Sequence, residues 1–257
     1  MKIMVRFIGA LALIFPSQWP TMALAGHPLL TEDTNTQGAG RYQMEMTHDL
    51  SYKQDGDIKT RARDINSVLS IGLADNFDVI ASLPYERLTE RAGTADTSVE
   101  SYADMEVAAK WRFYEQGALS FALRPGIKLP TGNKDKDSNT GRIAPSLFLV
   151  STYASDPWAF HLHVGYSRNF SFGAEQRDHI YHASVATEYR IGERIRLVSD
   201  ASIENNAERS GRPGVGSVVI GFVYSITPNL DLDLGYRKGL TAPALDYAWL
   251  TGLALRF

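Results

Sequence analysis

The feature that most constrains this chain is a two-residue alternation that recurs along nearly its whole length. In residues 42–52, Tyr42, Met44, Met46, His48, Leu50 and Tyr52 share one parity, while Gln43, Glu45, Thr47, Asp49 and Ser51 take the other. Residues 103–113 repeat it, with Ala103, Met105, Val107, Ala109, Trp111 and Phe113 against Asp104, Glu106, Ala108, Lys110 and Arg112. Successive strand side chains point to opposite faces, so each stretch reads as a strand with one apolar and one polar face. Helical periodicity is hard to find after Gly26.

Twelve such stretches fall at 42–52, 65–73, 77–85, 103–113, 119–129, 143–153, 158–166, 181–191, 195–203, 218–226, 230–236 and 247–257. Their connections alternate in length. The short ones are 74–76, 114–118, 154–157, 192–194 and 227–229; the long, Gly- and Asp-rich ones are 53–64, 86–102, 130–142, 167–180, 204–217 and 237–246. An even strand number, with short turns at one rim and long loops at the other, is the layout of a bacterial outer-membrane barrel.

The faces say which side meets lipid. Across the twelve strands the apolar parity holds 65 positions and no Asp, Glu, Lys or Arg, in a chain that is 21% charged. The intervening 53 positions hold sixteen charges, nine acidic and seven basic. A charge on the lipid face costs on the order of 2–4 kcal/mol near the midplane, which accounts for the exclusion. A soluble sandwich also has one apolar face, so parity alone does not orient the sheet. Aromatic placement does. Tyr42, Phe77, Trp111, Phe113, Tyr153, Trp158, Phe160, Tyr189 and Tyr224 gather near the short-turn rim; Tyr52, Tyr85, Tyr166, Tyr236, Tyr247 and Trp249 gather near the other. Two aromatic girdles suit the two interfaces of a bilayer. Leu253, Leu255 and Phe257 close the last strand, a C-terminal aromatic signal of the kind read by the barrel-assembly machinery.

Lys2 and Arg6 before the apolar run Phe7–Phe15, with small residues at Ala23-Leu24-Ala25, make 1–25 a secretory signal peptide. Nine apolar residues fall far short of the roughly 20 a membrane helix needs. Cleavage takes the net charge from −3 to −5. That charge gives no reason to expect nucleic acid as a partner. With no cysteine, a disulfide framework and a Cys-ligated metal are excluded. Residues 26–40 form an N-terminal periplasmic lead: 26–30 reads as a plain solvated stretch, and 31–40 as either a continuation of it or a partial plug.

The segment Pro28-Leu29-Leu30-Thr31-Glu32-Asp33-Thr34-Asn35-Thr36-Gln37-Gly38-Ala39-Gly40, running into Gln43 and Glu45, resembles the opening segment of a known family. With it go Leu83-Pro84-Tyr85-Glu86, then Asp104 with Lys110, then Leu129-Pro130-Thr131-Gly132. Together these segments resemble a family of porin-like outer-membrane transporters associated with the meta-pathway of phenol degradation. The second half of the chain matches mainly in strand rhythm. The resemblance implies a porin-like barrel moving aromatic or other hydrophobic compounds, and supplies no catalytic residue to carry over.

The lumen-facing candidates are Glu45, Asp49, Asp78, Asp104, Glu106, Lys110, Arg112, Arg124, Lys128, Glu188, Arg190, Arg196, Asp200, Asp231, Asp233 and Arg256, together with His161 and His163. They read either as a wall that selects solutes or as an ion-pair lattice filling a narrow barrel. The near balance of nine acids to seven bases favours pairing, for instance of Arg124 and Lys128 with Glu106 and Asp104 across neighbouring strands. His161 and His163, with Glu188 across the next strand, lack any motif for a metal and read as polar lining. The run Lys134–Gly141 fails the calcium-loop pattern, since Thr140 and Ser146 stand where Gly and Glu are required.

These observations define an all-β, transmembrane up-and-down barrel of about twelve strands over 41–257, placed in the cell outer membrane among its lipids. It works without a cofactor, by passive diffusion of small-molecule solutes; its oligomeric state is open. Two alternatives stand beside it. One is a phospholipase-like hydrolase using lipid-face His48 and Ser67; the other is a closed structural barrel.

Overall fold

The computed structural model describes residues 26–133, 141–169, 176–208 and 214–257. Residues 1–25, which the sequence suggests as a signal peptide, and the calcium-loop-like run at 134–140 lie outside them. Thirteen strands occur among the described residues: β1 (Tyr42–Asp55), β2 (Ile58–Ala74), β3 (Phe77–Ala92), β4 (Ala95–Tyr102), β5 (Met105–Gln116), β6 (Leu119–Leu129), β7 (Ala144–Ser155), β8 (Trp158–Arg168), β9 (His179–Ile191), β10 (Ile195–Glu204), β11 (Val215–Thr227), β12 (Leu230–Gly239) and β13 (Tyr247–Arg256).

Strands pair antiparallel with their chain neighbours, except that β5 pairs with β3 rather than β4, and β1 also pairs with β13, from Gln43 opposite Arg256 to Tyr52 opposite Tyr247. That pairing closes the sheet. The thirteenth strand is not an extra stave. β4 and β5 both lie along β3, with Tyr85 opposite Tyr102 and Ser82 opposite Glu106, so together they form one stave interrupted at Ala103-Asp104. The result is a closed twelve-stave barrel, and closure leaves no sheet edge unpaired in hydrocarbon.

The barrel is inside-out relative to a soluble protein. Met46, Ile220 and Leu147, all on the apolar parity, are 48%, 64% and 50% exposed. Glu45, Asp78, Glu106, Lys110, Arg124, Asp200 and Asp231, on the other parity, are buried. Outward aromatics pair at both rims. Tyr42 stacks on Phe257 and Trp158 packs against Tyr189 at the short-turn rim; Tyr52 with Tyr247, Tyr85 with Tyr102 and Tyr236 with Trp249 do so at the other.

Two long connections predicted at 53–64 and 86–102 are strand instead. β1 and β2 run on to a two-residue turn at Gly56-Asp57, and β3 and β4 to one at Gly93-Thr94, each glycine in the left-handed region at φ 59° and 61°. Above the membrane both faces of a ribbon meet water, so apolar alternation disappears from the sequence although the hydrogen-bond ladder continues. β12 likewise extends to Gly239, which brings Arg237 onto the inward face.

Residues 26–30, which the sequence suggests as a solvated stretch, run inside the barrel: His27, Pro28 and Leu29 are buried among wall residues.

Candidate functional site

The lead enters at the short-turn rim beside β1 and rises through the lumen. Gly40 donates its N–H to the carbonyl of Gly72, and the Gln37 N–H donates to both carboxylate oxygens of Asp78 at 3.1 and 3.0 Å. Thr34 sits deeper. Its N–H donates to Thr152 Oγ1 at 3.1 Å and its hydroxyl shares a hydrogen bond with Ser120 Oγ.

At mid-height the lead delivers one carboxylate to two wall cations. Glu32 lies 2.9 Å from Arg124 Nε and 3.1 Å from Lys110 Nζ, and Arg124 Nη1 also donates to Glu106 Oε1 at 2.9 Å. Arg124 and Glu32 are each 1% exposed. Removing one partner from such a cluster leaves an uncompensated buried charge, which costs about 3–5 kcal/mol.

The chain then crosses to β10, where the N–H groups of Leu30 and Thr31 both donate to Asp200 Oδ2, at 3.0 and 2.7 Å. Pro28 lies on a glycine-floored stretch of β11 and β12: a Cβ at Gly235 would come within 2.6 Å of Pro28 Cβ, so only glycine admits the proline there. His27 ends the path between Asp233 and Asp49, at 2.5 and 3.2 Å. Burial alone would lower the His27 pKa, but hydrogen bonds to Asp233 and Asp49 outweigh it and raise the value to about 9. At neutral pH the ring is cationic, held between two carboxylates.

The remaining wall charges pair among themselves. Arg196 reaches Glu188 at 3.1 Å and Asp231 at 3.3 Å, and Arg256 reaches Asp231 at 2.9 Å and Gln43 at 2.8 Å. Gln43 also donates to Glu45. Asp104 accepts the Gly132 N–H at 3.0 Å, and Lys128 stands opposite Glu106 in the β5–β6 ladder. Arg112 turns to the rim, bonding the Asp75 carbonyl and pairing with Glu115. Arg190 is on the inward parity but lies past the rim, where it is 60% exposed and meets Asp156. The sequence assigned it to the lumen because strand parity carries no information about where the membrane ends.

His161 and His163 diverge. His161 bonds Thr152 Oγ1 and stands 3.6 Å from Glu188, whereas His163 packs on Phe148 and His182. Among the described residues no group of three His, Cys, Asp or Glu is placed to hold a metal. On the lipid face, Ser67 lies opposite Met46 and His48 opposite Ile65, and no hydrogen bond joins His48 to Ser67 among the described residues.

Sequence reasoning missed His27 and Glu32, which sit in the lead, and Arg237, whose guanidinium reaches Asp49 at 2.7 Å. The one signal available was the apolar triplet Pro28-Leu29-Leu30 in an otherwise polar stretch, which a solvated lead has no use for. On the outer side that triplet floors a cavity of about 130 Å³, walled by Ile65, Pro84, Val215, Leu245 and Leu250. Asp49, Asp64, Glu86, Glu204, Arg237, His182 and His27 are among its polar lining residues.

Comparison with known proteins places this geometry. The family model described as the MetA-pathway of phenol degradation matches residues 32–257. An outer-membrane channel from Pseudomonas putida F1 superposes with a TM-score of 0.71 at 16% identity, covering 88% of this chain and 98% of its own. The KdgM porin, solved in complex with disordered oligogalacturonate, gives 0.55 at 10% identity, over 84% and 99%. The translocator domain of the autotransporter NalP from Neisseria meningitidis gives 0.53 at 12% identity, over 87% and 91%. At such identities the likeness is one of fold, that of an outer-membrane β-barrel. No curated protein matches by sequence.

Proposed function

The chain belongs to the family described as the MetA-pathway of phenol degradation, and on that premise we propose that it is an outer-membrane channel for passive diffusion of small molecules, aromatic compounds among them. The observation that carries this reading is the cavity above Pro28-Leu29-Leu30. Its volume of about 130 Å³ approaches that of an engineered apolar cavity of roughly 150 Å³ known to take up benzene. Apolar side chains there contribute contact area, and the surrounding polar groups give a phenolic hydroxyl hydrogen-bond partners. Four carboxylates against the two cations Arg237 and His27 disfavour anions at the same level.

The channel neighbours named above support this reading at the level of fold. So does the wall itself, whose inward charges would give the aqueous path its selectivity. The lead acts as the restriction, and solute passes when it yields. Phe257, 61% exposed and stacked on Tyr42 at the closing seam, is where the assembly machinery would engage the last strand.

Liposome swelling with a panel of phenols, sugars and organic acids tests the function. Phenols are expected to enter faster than sugars of similar size, and a variant lacking residues 27–37 should admit both. A second reading, a closed structural barrel, is favoured by how thoroughly the lead fills the lumen. If neither the full chain nor the truncated form conducts in planar bilayers, that reading replaces the first.

A further inference from the structure

The outward face of the ribbon carries a cluster of arginines where it meets the membrane. Ladder register sets the heights. Arg61 lies opposite Tyr52 and Thr89, and Arg63 lies opposite Leu50 and Arg87. Tyr52 stacks on Tyr247 at 5.4 Å in the outer girdle, so Arg61 stands at headgroup level. Arg63, opposite Leu50, stands one pair deeper, beside side chains that face lipid.

Like charges directly opposite one another in a ladder destabilise it, and Arg63 faces Arg87. Glu100 meets Arg87 at 3.7 Å and Asp96 meets Arg91 at 2.6 Å. Among the described residues neither Arg61 nor Arg63 forms an ion pair, Arg61 feeling only the charge of Asp96, which is already held by Arg91, and both are exposed. Two outward arginines at the lipid interface without an ion-pair partner, one of them facing a third arginine, call for an anion from the membrane itself.

A receptacle is present. A groove of about 510 Å³ on the outer wall is bounded by Arg61, Arg63 and Arg87 on one side and by Leu50, Tyr247 and Trp249 on the other. Leu50 and Trp249 are 40% and 50% exposed. Cationic forks above an apolar and aromatic floor match an amphiphile whose phosphate lies at the interface and whose acyl chains point down the barrel wall. Guanidinium groups bind phosphate through two parallel N–H···O bonds, a geometry that lysine lacks.

We propose that this groove binds the phosphorylated headgroup of an outer-leaflet glycolipid, with phosphate on Arg61 and Arg63 and the first acyl carbons against Leu50 and Trp249. The proposal depends on the outer-membrane barrel, not on what the lumen transports. A variant of these arginines should therefore leave conductance unchanged.

The test is native mass spectrometry of the full mature protein in detergent, titrated with bis-phosphorylated lipid A. Dephosphorylated lipid A, phosphatidylglycerol and inorganic phosphate serve as comparison probes. Bis-phosphorylated lipid A should be retained at least tenfold more tightly than either other lipid, and Arg61→Gln with Arg63→Gln should abolish that preference. Arg61→Lys with Arg63→Lys keeps the charge and loses the fork; it should fall between the two and serves if the glutamine variant does not show the heat-modifiable mobility of a folded barrel. Undiminished lipid A binding by the variants overturns the proposal. So does equal binding of the dephosphorylated form or of phosphatidylglycerol, or displacement of lipid A by equimolar inorganic phosphate, which would make this a site for free anions.

Discussion

Arg124 and Arg91 each hold a carboxylate, at 2.9 and 2.6 Å, and the shorter contact is the weaker one. Arg124 and its partner Glu32 are sealed inside the barrel. Arg91 and Asp96 stand on the ribbon, 57% and 49% exposed, where water and salt screen them. Distance does not rank these pairs; the solvent around them does. The lumen cluster holds a segment of chain in place, whereas the ribbon pair decorates a surface.

The largest way to break this contrast is Glu32→Gln. It strips the lead of its charge while Arg124 and Lys110 stay buried. Docking of the lead should weaken by about 3 kcal/mol, roughly a hundredfold in the ratio of open to closed channel. Single-channel recording reads it directly, and a trace like that of the parent chain would show that Glu32 does not hold the restriction.

Next comes pH. Docked His27 has a pKa of about 9 against 6.5 when free, so protonation stabilises the docked lead in full below 6.5. That contribution fades as pH rises and is gone above about 9. Raising pH from 6.5 to 9.5 should therefore increase the ratio of open to closed channel by up to about a hundredfold. His27→Gln should flatten the profile; a slope that persists would move the titration to another group.

A neutral contact sharpens the scale. Thr34→Val removes hydroxyl bonding to Ser120 and should cost docking about 1 kcal/mol, a several-fold rise in open events. The smallest effect belongs to the ribbon. Asp96→Asn should change neither conductance nor the urea midpoint of the refolded barrel; a clear drop in either would mean that the ribbon pair is coupled to the lumen.

The strands were legible because their cause is local. A side chain facing hydrocarbon must be apolar, and its neighbour in sequence faces the other way, so alternation from Tyr42 to Tyr52 or from Ala103 to Phe113 records the membrane directly. It fades at Lys53 and Glu86, where the strands leave the bilayer while their ladders continue, and there the reading mistook ribbon for loop. For the wall charges, parity predicted the pairing of Arg124 with Glu106 across adjacent strands. It could not show that Asp78, Asp200 and Asp233 bond the lead, because their partners are backbone N–H groups and a histidine from a segment with no period of its own.

The sequence by itself determined that this chain crosses a membrane as strands, and which face of each strand meets lipid. Both follow from a two-residue period and the cost of placing charge in hydrocarbon. What occupies the barrel was decided by tertiary structure alone. Leu30 meets Asp200 and His27 meets Asp233 across separations of 170 and 206 residues, and no local pattern records contacts that exist only once the sheet has closed around the chain's own beginning.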